Sequence, residues 1–156
     1  MTKIRISKIF HFEMAHALVD YKGLCQNIHG HSYQLEVRVS GYINQHPDKA
    51  KKGMVMDFSD LKNIVDKHII QRYDHALILN SESNTELIKQ LKQNYKNIIV
   101  VDYQPTSEQL LEDFADRIKK HLPPYATLHS IRLSETQSSY AEWYADDNKD
   151  KWNCIY

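Results

Sequence analysis

From Ile4 to His16 the even positions run Ile4, Ile6, Lys8, Phe10, Phe12, Met14 and His16, an alternation of period two. It predicts a long strand with one apolar face, one interruption at Lys8, and His16 on the buried side. A second strand is predicted from about His29 to Gly41. His29, His31, Tyr33, Leu35, Val37 and Val39 share its inner face, and Ser32, Gln34, Glu36, Arg38 and Ser40 the other. The turn-like "NQHPDKAKKG" follows, with Pro47 and Gly53, and then "MDFSDLKNIVDKHII" spaces Phe58, Leu61, Ile64, Val65, His68 and Ile69 as one face of a helix. "NTELIKQLKQNY" predicts a shorter helix with Leu87, Ile88 and Leu91 on one side, and "NIIVVDY" a buried strand. In "PTSEQLLEDFADRIKKHL", Pro105 and Thr106 open a helix that Thr106 caps and Gln109 closes as a capping box, with Leu110, Leu111, Phe114, Ile118 and Leu122 aligned behind them. "ATLHSIRLSETQSSYAEWYA" alternates Leu128, Ser130 and Arg132 against His129, Ile131 and Leu133 and predicts a closing strand pair.

Strands at both ends and helices between them give an α+β class with an antiparallel sheet. Alternating βαβ units are lacking, which argues against a Rossmann domain. Glycine occurs only at 23, 30, 41 and 53, so no G-x-G-x-x-G or Walker loop can be written. A chain of 156 residues is expected to form a single domain, residues 1–156, with a core that needs no metal or disulfide. Lys plus Arg equal Asp plus Glu at 20 each, so the balance points to neither nucleic acid nor an anionic membrane and leaves a small molecule as the expected partner. "MTKIRISKIF" lacks the apolar run of a signal peptide, and no segment approaches the roughly 20 apolar residues of a membrane span. The expected location is cytoplasmic, where Cys25 and Cys154 persist as thiols.

Against that background "CQNIHGHSY", Cys25 to Tyr33, asks for chemistry. Two residues apart on a strand, His29 and His31 have Cα atoms about 6.6 Å apart and lean the same way, so both imidazoles can reach one ion at about 2.0 Å per bond. His16, inward on the preceding strand, offers a third ligand. Three histidines leave a position open, the pattern of a catalytic zinc site rather than a structural one. A lone inward histidine is more often a hydrogen-bonded core residue, and Cys25 as a fourth ligand would instead close the site. Cys25 falls in the loop joining the two strands, where a nearby cation lowers a thiol pKa toward neutrality and makes it a candidate base. Asp74 beside His75 forms a carboxylate-imidazole pair only in a loop geometry, with a plain surface turn as the alternative. Glu135, in "RLSETQ", either meets a ligand with a fork of N–H donors or faces solvent at the strand end.

Taken in order, "FHFEMAHAL", "CQNIHGHSY", "GMVMDFSDLK", "YDHALILN", "PTSEQL" and "ETQSSYAEW" resemble the 6-pyruvoyltetrahydropterin synthase and 6-carboxytetrahydropterin synthase family over Phe10 to Trp143. The resemblance implies the T-fold, an antiparallel four-stranded sheet with two main helices on one face, assembled as a homohexamer of two stacked trimers. It implies His16, His29 and His31 as zinc ligands and Cys25 as the catalytic thiol. Asp74 and His75 become its proton-relay partners and Glu135 the pterin anchor, with Thr106, Ser107 and Glu108 beside the pterin pocket. The implied substrate is 7,8-dihydroneopterin triphosphate. Two departures stand out: 81–103 is longer than the link expected and is taken as an insertion, and 146–156 extends past the last motif, leaving Cys154 near an exposed end. Three residues between Cys25 and His29 resemble the 6-carboxytetrahydropterin synthase branch of queuosine (7-deazaguanine) biosynthesis, whose product leaves with acetaldehyde and triphosphate. The alternatives are the 6-pyruvoyl branch, a hydrolase using zinc-bound water, and a non-catalytic zinc-binding protein.

Overall fold

The computed structural model describes residues 1–43 and 46–149. Strands β1 (Lys3–His16) and β2 (His29–Tyr42) form a long antiparallel hairpin in which Lys3 pairs with Tyr42 and His16 with His29. Its even and odd apolar sets fall on the same buried face, with Phe10, Phe12, Met14, Tyr33, Leu35, Val37 and Val39 all nearly or wholly out of solvent. Alternation thus predicts register here, because a slip by one residue would turn the whole set to water.

The long central helix is divided. It starts as α1 (Phe58–Val65), capped by the Asp57 carboxylate accepting from the Ser59 N–H, widens to a π turn at Asp66–Ile70 and ends as α2 (Gln71–Tyr73). Phe58, which the helical spacing put on the buried face, is 52% exposed in the first turn. Beyond α2 come β3 (Ala76–Asn80), α3 (Thr85–Asn94), β4 (Ile98–Val101), α4 (Ser107–His121), β5 (Ala126–Ser134) and β6 (Tyr140–Tyr144). α1 and α4 pack on one sheet face through Leu61, Val65, Leu110, Leu111, Phe114 and Ile118, joined by Ile69 of the π turn, as the paired-helix arrangement requires.

The sheet has six strands, in the order β4-β3-β1-β2-β5-β6, and corrects the expectation of four. β1, β2, β5 and β6 are antiparallel, as expected, but β3 pairs parallel to β1 and β4 parallel to β3. The extra strands are β3, which precedes the segment 81–103, and β4 within it. Parallel neighbours need a crossover, and α3 provides it, so the two extra strands extend the β1 edge as one β-α-β unit. "HALILN" after the first helix carried a strand that its short length and flanking polar residues concealed. A bulge also resolves the ambiguous phase of β5: Val37 pairs with Ile131 and Val39 with Leu128, so His129 is the extra residue and Leu128 joins Ile131 and Leu133 in the core. Of the C-terminal extension, Asp146–Asn148 forms a single 3-10 turn, and Cys154 lies outside the described residues.

Candidate functional site

The open end of the β1–β2 hairpin sets His16 directly across from His29 and Met14 across from His31. Ring centroids of His16 and His29 are 4.5 Å apart, of His29 and His31 5.0 Å, and of His16 and His31 5.3 Å. One nitrogen from each lies within 4.8 Å of the others. Between the two β2 histidines, a side chain at Gly30 would put a Cβ 3.2 Å from the Met14 carbonyl oxygen, so glycine lets the strands close here.

The hydrogen bonds around these rings define what they can hold. His16 Nδ1 donates to the Pro105 carbonyl at 2.6 Å and His29 Nδ1 donates to the Asn27 carbonyl at 2.8 Å. A neutral imidazole has one N–H, so both Nε2 atoms are left with lone pairs, and these face each other at 3.1 Å. Two opposed lone pairs at that distance repel, and a metal ion bound by both relieves the repulsion as a shared proton would. Backbone carbonyls fixing the tautomer of metal-binding histidines are the usual outer support of such a site. Burial lowers the His16 pKa, opposed by its bond to Pro105 and reinforced by His29, which favours the neutral, metal-binding form. The donor set therefore fits a metal ion.

A cavity of about 290 Å³ opens beside the imidazoles and is lined by His16, Cys25, His29, His31, Thr106, Ser107, Glu108 and Glu135. Cys25, half-buried, sits in a 3-10 turn (Leu24–Gln26) of the hairpin loop, held by Leu18 N–H donating to its carbonyl at 2.9 Å. The same loop is tied to the segment before α4 by a reciprocal pair: Val19 N–H donates to Gln104 Oε1 at 3.1 Å and Gln104 Nε2 donates to the Val19 carbonyl at 2.6 Å. Thr106 caps α4, its hydroxyl accepting from Gln109 N–H at 3.4 Å. The capping box is only half made, because the Thr106 N–H donates to Gln104 O at 2.7 Å. The Ser107 hydroxyl is buried at the cavity with no partner, and the free amides of the first α4 turn give this wall a partial positive charge. Glu135 follows β5 at a turn in which its N–H donates to Ser139 O at 3.1 Å, leaving the carboxylate half-buried at the cavity.

Asp74 and His75 are together but elsewhere. His75 takes a left-handed backbone, φ 58°, which lets adjacent side chains meet, and its Nδ1 is 3.0 Å from Asp74 Oδ2. Asp74 also accepts from the Glu13 N–H at 2.9 Å. His75 lines a larger, mostly apolar cavity of about 810 Å³ on the far side of His31, with Glu13, Ala15, Leu91 and Tyr95, and its side chain is 78% exposed. Eight of the ten residues singled out in the sequence thus meet in one cavity, and this dyad does not join them within the chain.

Three participants escaped the sequence. The carbonyls of Pro105 and Asn27 are backbone atoms and leave no trace in residue identity. Tyr33 was placed on the inner face by alternation without a role. Its ring stands 5.4 Å from His31 and 6.3 Å from His16, and its hydroxyl is fully buried beside Glu135 without a completed hydrogen bond. Burial first, then the Glu135 charge, pushes the phenol well above its ordinary value, so it is held as a neutral donor facing the carboxylate.

Comparison with known proteins agrees with this layout. Residues 5–146 match the family model described as 6-pyruvoyl tetrahydropterin synthase. The 6-carboxy-5,6,7,8-tetrahydropterin synthase of Haemophilus influenzae is 39% identical over 141 residues, covering 89% of this chain and 97% of that protein. The protein of the same name from Aquifex aeolicus is 34% identical over 165 residues, covering 90% and 98%. Among solved structures, an uncharacterized protein from Wolinella succinogenes superposes with a TM-score of 0.76 at 21% identity, covering 93% of this chain and 99% of that one. The Caenorhabditis elegans 6-pyruvoyl tetrahydropterin synthase does so with a TM-score of 0.65 at 22% identity, covering 93% and 97%. These two likenesses speak to the fold. The family match over nearly the whole length settles membership: the chain belongs to the 6-pyruvoyl tetrahydropterin synthase family.

Proposed function

We propose that the chain is a zinc-dependent 6-carboxy-5,6,7,8-tetrahydropterin synthase, a lyase that converts 7,8-dihydroneopterin triphosphate and water to 6-carboxytetrahydropterin, acetaldehyde and triphosphate. The observation that carries this reading is the convergence of three imidazoles, two of them held in one tautomer by backbone carbonyls, one thiol and the carboxylates of Glu108 and Glu135 on a single small cavity. The names of the Haemophilus and Aquifex relatives support the 6-carboxy branch over the 6-pyruvoyl one.

His16, His29 and His31 would hold the zinc, which when bound supplies Lewis acidity toward the oxygens of the substrate side chain. Glu135 accepts from the 2-amino and N3 hydrogens of the pterin, a two-point contact that fixes the ring plane. The neutral Tyr33 hydroxyl, beside that carboxylate, is available to it as a donor. The Ser107 hydroxyl and the first amides of α4, with Thr106 and Glu108 beside them, border the ring edge. Cys25 moves the proton at the reacting carbon. The Asp74–His75 dyad faces outward, so in the proposed homohexamer of two trimers it would serve the Cys25 cavity of a neighbouring copy. No helix among the described residues is long and apolar enough to cross a membrane, in keeping with a cytoplasmic place in queuosine biosynthesis.

The test is product analysis by mass spectrometry of zinc-loaded protein with dihydroneopterin triphosphate. Acetaldehyde and a 6-carboxy product in equal amounts are expected. A 6-pyruvoyl product would transfer the assignment to the other branch, and simple loss of phosphate would favour the hydrolase.

A further inference from the structure

Sharing no lining residue with the metal cavity, the π turn, α4 and the edge strand β4 border an open cavity of about 610 Å³. Its walls carry Lys67, His68, Arg72, Asn97 and Arg117, and His121 stacks on His68 with ring centroids 3.5 Å apart. The wide turn creates this grouping. Gln71 N–H donates to Asp66 O, five residues back, so the chain takes one more residue to come round. In a regular helix Lys67 and Arg72 would stand about 140° apart at 100° per residue, whereas the widened turn brings them to the same wall. π turns recur at functional sites, and this one costs helix regularity without serving the metal cavity.

The charges in this cavity are unbalanced. Arg117 is neutralised by Asp113 at 2.8 Å, and Asp66, the nearest carboxylate on the turn, is taken by Lys62 at 2.9 Å. Lys67 and Arg72 have no carboxylate partner among the described residues, Arg72 resting 5.6 Å from the Tyr73 ring. Burial, then His121, Lys67 and Arg117, lower the His68 pKa, and no anion acts on it in the opposite sense. The wall is also braced: Asn97 Nδ2 donates to the Asp74 carbonyl at 3.1 Å and to the Arg72 carbonyl at 3.5 Å, fastening β4 to the end of the helix. β4 is the sheet edge, so it has backbone N–H groups without a strand partner.

We propose that this cavity is a second ligand site, distinct from the metal cavity, that binds a small oligophosphate anion through Lys67 and Arg72. Two cations from successive turns, with imidazoles and edge amides between them, suit a chain of two or more phosphoryl groups better than a single one.

The probe is inorganic triphosphate, titrated into zinc-loaded protein while the imidazole resonances of all histidines are followed by NMR. Saturable shifts at His68 and His121 are expected, and the double variant Lys67→Gln/Arg72→Gln, changed at two exposed positions, should bind at this site at least about tenfold more weakly. Its turnover of dihydroneopterin triphosphate should equal that of the parent, which keeps this test separate from the lyase assignment. Triphosphate that shifts only His16, His29 and His31 would overturn the proposal, as would affinity at His68 unchanged in the double variant. Orthophosphate binding as tightly as triphosphate would overturn the oligophosphate assignment.

Discussion

At the residue scale, what matters is whether a polar atom has the partner its surroundings demand. Glu135 faces a cavity with only acceptor oxygens to offer, so a ligand edge rich in N–H groups completes it. Glu135→Gln keeps the shape but turns one acceptor into a donor opposite donors. It should cost about 2–4 kcal/mol, a thirtyfold to thousandfold loss of affinity in a titration with sepiapterin, with metal content unchanged. Asp116 on α4 illustrates the opposite case, a carboxylate with an oxygen that no donor meets. One of its carboxylate oxygens is buried without a partner, and burial raises its pKa, helped by Glu112 and opposed by Lys120. An acid whose pKa is raised by folding holds its proton more tightly in the native state, so ionisation weakens the fold as pH rises. Asp116→Asn should therefore be more stable than the parent at neutral pH in thermal melts. That advantage should vanish as pH falls through the folded value toward the unfolded 3.8.

At the element scale, the start of α4 does two jobs. Its cap ends the chain's approach from β4, and the preceding carbonyl of Pro105 orients His16. The cap itself is a single hydroxyl contact of 3.4 Å without the reciprocal half of a box, so Thr106→Ala should cost only about 0.5–1 kcal/mol, read as a drop in Tm of a few degrees. A larger loss would show that the hydroxyl supports more than the helix end. The elements whose period was clean were legible in the sequence: β1, β2 and α4 appear within a residue or two of where alternation and capping placed them. β3 was not, because five residues that follow Asp74–His75 and end in Asn80 carry no period that separates a strand from a turn. The π turn was not either, since an extra residue in one turn leaves the apolar positions Val65 and Ile69 at their ordinary four-residue spacing.

At the scale of the whole molecule, the exposed dyad is the feature one chain leaves unexplained. If Asp74 and His75 serve the cavity of a neighbouring copy, Cys25→Ala and His75→Ala subunits, each inactive alone, should regain activity when mixed and allowed to exchange. About a quarter of the parental activity is the ceiling for two sites drawn at random in equal mixtures, and it would be reached only if one Cys25 and one His75 from different copies suffice. No recovery from mixtures shown to contain both chains would show that the dyad does not serve a neighbouring cavity, and a His75→Ala variant active on its own would place the dyad outside the reaction.

The sequence alone determined the hairpin, its buried face and the histidines on it, because period-two alternation and the H-G-H spacing are local properties of the backbone. It also marked Cys25, Glu135 and the α4 start as polar groups in places where bland residues would have served. Only the tertiary structure decided that these meet. The meeting depends on β1 closing against β2 in a register that faces His16 with His29, and on α4 lying across the same face so that Pro105 can hold an imidazole. It decided, too, that β3 and, within the segment 81–103, β4 join the sheet as parallel strands, and that Asp74–His75 stands apart from Cys25. Those outcomes rest on long-range pairing and crossover geometry, which no local pattern of polar and apolar residues encodes.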